Sequence, residues 1–116
     1  MKAVFFLILL TFSFNLQAEE VQTTIYVSCP CTITIDGLMM NEGMVTGTDT
    51  NPSESTLETC LIENGKVIQG CWLAKQRALG SCMDHSRRMN PNEFRPSAYI
   101  EESLCYGAIE EESVEN

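Results

Sequence analysis

Six cysteines, Cys29, Cys31, Cys60, Cys71, Cys82 and Cys105, are the residues of this chain best suited to chemistry. Two of them form Cys29-Pro30-Cys31, a spacing open to a redox dithiol or to half of a metal site. On an extended strand, residues two apart face the same way, so each could instead bond to a different partner on a neighbouring element. The usual thiol–disulfide motif has two residues between its cysteines and sits where a helix begins. This pair lies in a run of β-branched residues, which favours two structural half-cystines over one reactive pair. A small thiol-active protein using Cys29 and Cys31 is the alternative reading.

The middle cysteines recur with a period. Leu57, Cys60 and Leu61, then Ile68, Cys71 and Trp72, then Leu79, Cys82 and Met83 repeat one apolar–cysteine–apolar pattern every eleven residues. Positions i, i+3 and i+4 share a helical face, and eleven residues come within about 20° of three full turns. A helical chain would therefore stack all three copies along one buried stripe, with Trp72 and Met83 in the core. On a continuous helix Cys71 and Cys82 stand ~16 Å apart, beyond the ~7 Å reach of a disulfide. The pattern thus predicts that Cys60, Cys71 and Cys82 reach outward to Cys29, Cys31 and Cys105. Its rival is a Cys60–Cys71 bond across Asn64-Gly65, which needs a bulge at Gly70 because Cys60 opposes Gln69 in a two-residue hairpin.

Cys82, Asp84 and His85 fall close together, but His85 is the chain's one histidine and a zinc-type ligand spacing is missing. A nucleophilic Cys82 would leave an odd number of cysteines for bridging. No Gly-rich phosphate loop, Gly-x-Ser-x-Gly elbow or His-Glu-x-x-His helix is present. The carboxylates at Glu101-Glu102 and Glu110 to Glu112 read as solvated surface rather than as a hydrolytic pair. No catalytic residue, cofactor site or metal ligand is assigned, and the expected class is non-enzymatic.

The compartment follows from the start of the chain. Met1-Lys2, an apolar run from Ala3 to Leu10 and the small residue Ala18 before Glu19-Glu20 make up the three parts of a cleavable secretory signal. The run is too short for a membrane span, which needs about 20 apolar residues. Cleavage after Ala18 takes the net charge from −9 to −10 with the loss of Lys2. That balance disfavours nucleic acid and anionic lipid, both of which need clustered Lys and Arg. Export and an even cysteine count together predict three disulfides in a secreted or periplasmic protein.

The elements that must position the cysteines are predicted as follows. Residues 23–36 read as strand interrupted by Pro30, Asp36-Gly37 as a turn, and 38–48 as a second extended piece. Ser55 with Glu58 marks a helix start, and two helices separated at Gly65 follow, the second closing with Arg87 and Arg88 before Asn90-Pro91. A short third helix spans the region of Ile100 to Cys105. The fold class expected is α+β: a small disulfide-stabilised domain over 19–109, with N-terminal strands or a hairpin packed on two or three short helices. Residues 110–116 are expected to form an acidic disordered tail. The function expected is binding of another macromolecule, most simply a protein, as inhibitor, effector, envelope accessory or venom-type component. The surface expected to carry it is 38–53.

Overall fold

The structure is a computed structural model that describes residues 19–92 and 97–115. The expected signal segment, 1–18, lies outside the described residues. In chain order the elements are β1 (Glu19–Ile35), β2 (Leu38–Thr50), α1 (Glu54–Thr59), β3 (Leu61–Glu63), β4 (Lys66–Gln69), α2 (Trp72–Met89), β5 (Ala98–Ile100), a 3-10 turn (Glu102–Leu104) and β6 (Tyr106–Glu115). Among the described residues they build a small, mostly antiparallel sheet domain with two α-helices and three disulfides.

β1 is the spine. One of its edges pairs with β2 from Thr24 to Ile35, and the other is shared between β6, along Glu19–Ser28, and β5, along Cys31–Ile33. The path across the sheet is β2-β1-β6-β4-β3, with β5 off that path. Alternation along β1 places Ile25, Val27, Cys29, Cys31 and Ile33 on one face, and all five are fully buried. Pro30 falls on the opposite face beside a register irregularity, so its missing N–H costs the ladder little. Asp36 and Gly37 both take positive φ, as the expected two-residue turn between β1 and β2 requires.

The buried face of the sheet receives α2. The helix presents Ala74, Ala78, Cys82 and Ser86, four small residues one turn apart, and all are buried. Small residues let the helix backbone come close, and Gly47 of β2 completes the fit. A Cβ built at Gly47 would overlap the backbone of Ala74 and Ala78. Three polar contacts fix the helix, one each to β2, to β1 and to the residue that precedes β5. Arg77 Nη1 donates to the Thr48 carbonyl at 2.7 Å, Asn90 Nδ2 donates to the Thr34 carbonyl at 3.4 Å, and Ser86 Oγ donates to the Ser97 carbonyl at 3.4 Å. Arg87 and Arg88 sit in the last turn, where they complement the helix dipole.

Among the described residues twelve buried apolar residues make up this core, of which six are the cysteines and two are Ala74 and Ala78. Only Ile25, Val27, Ile33 and Val67 contribute larger aliphatic groups. So few buried aliphatics leave a domain of this size marginal, and the disulfides fill volume as well as restricting the unfolded chain.

Several expectations for the middle and end of the chain are corrected. Helix is present at 54–59, capped by Ser53, whose Oγ accepts from the Thr56 N–H at 3.2 Å. The chain then turns into the β3–β4 hairpin instead of continuing as helix, and α2 starts only at Trp72. Asn64 and Gly65 carry φ of 52° and 78°. Two successive left-handed residues suit a hairpin turn that matches strand twist, and they outweigh a helical periodicity of three short samples. The expected third helix is β5 followed by a single 3-10 turn. Residues 110–115, expected to be disordered, extend β6 along the N-terminal half of β1. There Glu110, Glu111 and Glu112 face Thr24, Thr23 and Gln22 across the ladder, so these three meet no like charge; only at the end of the pairing does Glu115 face Glu19.

Candidate functional site

The cysteines form three nested bonds: Cys29–Cys105, Cys31–Cys82 and Cys60–Cys71. Only Cys82 reaches from the helical face to an N-terminal cysteine, as the outward arrangement predicted. Cys60 and Cys71 bond to each other, with Cα atoms 4.4 Å apart. The bulge that permits this lies at Ile68, since Leu61 faces Gln69 while Ile62 faces Val67. Gly70 and Cys71 then both adopt left-handed backbone, with φ of 75° and 58°, which swings Cys71 back toward Cys60. A side chain at Gly70 would meet the Thr59 carbonyl, so this close approach requires glycine.

Cys29 and Cys31 are bonded to different partners and both are fully buried. A disulfide oxidoreductase needs two sulfurs that can bond to each other and meet a substrate thiolate. These two do neither. Denaturing the oxidised protein with excess alkylating reagent and no reductant is expected to leave all six cysteines unlabelled by intact mass, with full labelling after reduction. A labelled pair at Cys29 and Cys31 before reduction would instead restore the dithiol reading.

Cys82, Asp84 and His85 do not converge. Cys82 is disulfide-bonded, Asp84 pairs with Arg87 at 2.8 Å on the helix surface, and His85 turns its Nε2 toward Glu42 of β2 at 3.3 Å. That His85 nitrogen is buried and makes no aligned hydrogen bond, so it lies close to the Glu42 carboxylate without bonding to it. Among the described residues, no three His, Cys, Asp or Glu side chains gather as metal ligands would. No described helix is long and apolar enough to cross a membrane.

Two surface features remain. One is the hairpin of β1 and β2. Leu38, Met39, Met40 and Met44 of β2 are all exposed, Leu38 by 69% and Met39 by 66%. Among the described residues β2 has no partner on its outer side, so it is a thirteen-residue edge strand whose charged residues are Glu42 and Asp49. Gly43, at φ 87°, and the shifted register nearby bend the edge between Asn41 and Met44. Edge strands are commonly protected by lysine, proline or such bends. Here the bend is present, but the apolar end is not screened by a cation.

The second feature is a cleft of about 390 Å³ where β2 runs into α1 and α2 begins. Asp49, Asn51, Ser53 and Thr56 line one side, and Gly70, Cys71 and Trp72 the other. Cys71 precedes α2 without a side-chain cap, so the first turn of the helix opens on the cleft with its N–H groups uncapped by any side chain.

No protein-family model, curated protein or solved structure matches this chain.

The chemistry must therefore be read from these side chains alone. Trp72, expected in the core, is 68% exposed. It stands two residues, or about 200° of helical rotation, from Ala74 on the buried stripe, and so projects from the far side of α2. Asp49 was not singled out from the sequence, yet alternation from Val45 through Gly47 places it on the buried side of β2, where it is 6% exposed. The period-2 pattern of β2 would have marked it as an inward carboxylate, a residue type rarely buried unless paired.

Proposed function

We propose that this protein is an exported, disulfide-stabilised, non-enzymatic domain that binds another protein along the edge of β2. Three disulfides are typical of extracellular or otherwise oxidising compartments, and they fit secretion or residence in the periplasm. The observation that carries the binding role is the apolar end of β2. Leu38, Met39, Met40 and Met44 are presented on a strand edge that the sheet leaves unpaired among the described residues. An open edge offers main-chain hydrogen bonds to an extended segment of a partner. Methionines are unbranched and polarizable, so they adapt to the side chains that such a segment brings. With β1 tied by disulfides to α2 and to Cys105, the edge is held rigid, which lowers the ordering cost of association.

The test compares the oxidised protein with a Met39→Glu/Met40→Glu variant as bait against the extracellular or periplasmic fraction of its source. Both positions are exposed, so thermal unfolding of the variant is expected to stay within about 0.5 kcal/mol of the parent. A partner retained by the parent and lost by the variant supports the reading. An identical set of captured proteins, or none, overturns it.

A further inference from the structure

The cleft beside α2 has a feature that the hairpin edge does not explain. Asp49 is more than nine-tenths buried and lines the cleft, yet among the described residues nothing donates a hydrogen bond to its carboxylate and no cation pairs with it. Arg77 lies on the helix face that meets β2, but its Nη1 donates to the carbonyl of Thr48. The Asp49 oxygens are not fully enclosed but open on the cleft, so a donor that enters there can reach a carboxylate that the rest of the fold leaves largely out of bulk water and without a partner.

We propose that the cleft receives a basic side chain, arginine above all, from a partner protein. The charge balance of the site decides for a cation over an anion. The first turn of α2 contributes roughly half a positive charge at close range, less than the full negative charge of Asp49. No lysine or arginine is among the residues lining the cleft, and the chain as a whole carries −9. Cavity shape and chemistry agree with this. A guanidinium entering past Trp72 can lie against the exposed indole, since arginine is the cation that most often stacks on aromatic faces. It then meets Asp49 beyond the ring, with the Ser53 and Thr56 hydroxyls placed along the same cleft as further acceptors. This site lies apart from the methionine end of β2, so its failure leaves the edge-binding reading standing.

Trp72 is the chain's one tryptophan, which makes intrinsic fluorescence a reporter of this cleft. The oxidised protein is titrated with N-acetyl-arginine amide, its lysine counterpart, the uncharged citrulline analogue, spermidine and a neutral oligosaccharide. The expected result is a saturable change in Trp72 emission with the arginine amide, weaker with lysine and absent with citrulline. Asp49→Asn, checked for an unchanged near-UV spectrum, is expected to weaken arginine binding by roughly tenfold or more, as loss of a charged hydrogen-bond partner does. The citrulline arm needs no variant, so it stays decisive even if Asp49→Asn fails to fold. No saturable response to arginine, an equal response to citrulline, or unchanged affinity in a folded Asp49→Asn protein overturns the proposal. So does tighter binding of spermidine or of the oligosaccharide than of the arginine amide.

Discussion

Replacing Gly47 by alanine is expected to undock α2 from the sheet and destabilise the domain by about 3 kcal/mol or more, although only one methyl group is added. The site explains the size of the effect. Gly47 faces Val27 across the β1–β2 ladder and points at the helix, where the backbone of Ala74, Arg77 and Ala78 lies in the space a Cβ would take. A flexible side chain could swing aside, but a helix backbone must move as a body. Moving it would separate Ala74, Ala78 and Cys82 from β1 and strain the Cys31–Cys82 bond that holds the helix in register. For a domain near 100 residues, ~3 kcal/mol corresponds to a fall in Tm of roughly 12–24 °C. Gly80→Ala supplies the control. Gly80 lies within the same helix with nothing near its would-be Cβ and no positive φ, so alanine there is expected to stabilise by about 0.5–1 kcal/mol. Thermal unfolding of the two variants should move Tm in opposite directions. A Gly47→Ala protein within about 1 kcal/mol of the parent would mean that α2 does not pack this closely.

The same contact shows why parts of this fold are legible in the sequence and others are not. The β-branched run of β1, the Asp36-Gly37 turn and the second strand are local signals, and each is where the sequence places it. The end of α2 is likewise local, set by Arg87, Arg88 and Asn90. The eleven-residue cysteine period is a different kind of signal, because it draws together residues that prove to lie in three environments. Cys60 lies at the mouth of a hairpin, Cys71 in a left-handed turn and Cys82 on the helix. The Asn64-Gly65 pair carried the decisive information, yet the same dipeptide can end a helix. Only a partner strand distinguishes the two, and Gly107 of β6 provides one by donating its N–H to the Gly65 carbonyl at 2.8 Å. The acidic run 110–115 is strand for a similar reason: β1 is seventeen residues long, and its first five residues, Glu19–Thr23, extend beyond β2 and pair with β6 instead. Trp72 misleads because a large apolar residue reads as core, whereas the buried face of α2 is chosen by the demand for small side chains against Gly47. The apolar edge at Met39 and Met40 does fall within the 38–53 surface expected from the sequence, as does Asp49; the period-2 pattern puts Asp49 on the same face as Val45 and Gly47, and the packing of α2 on that face is what buries it.

Removing the Cys31–Cys82 bond as Cys31→Ala/Cys82→Ala is expected to cost more than removing Cys60–Cys71 in the same way, and to change which part of the domain opens first. The bonds close 51 and 11 residues of chain. Taken singly, chain entropy assigns them ~4 and ~3 kcal/mol. The three bonds are nested, however, so with Cys29–Cys105 and Cys60–Cys71 intact the unfolded chain already has short routes between residues 31 and 82. The entropic share of Cys31–Cys82 thus falls to ~3 kcal/mol and no longer separates the two bonds. Packing does. Cys31 and Cys82 are both fully buried with Ile33 in one cluster, and this is the one covalent tie between β1 and α2. Losing both sulfurs leaves a void under the helix that adds about 1–2 kcal/mol. Cys60–Cys71 is buried too, in the larger cluster, but it closes a hairpin that its own turn already defines, so its loss leaves no helix untethered. Urea unfolding of the two double variants is expected to place Cys31→Ala/Cys82→Ala lower in midpoint, with a total loss of about 4–5 kcal/mol, a large part of the stability of a small domain. Native-state hydrogen exchange should then show the amides of 78–89 losing protection while those of the β1–β2 ladder keep theirs. Equal loss of protection across α2 and β1 would show that helix and sheet open as one unit, and that the bond adds stability without positioning the helix.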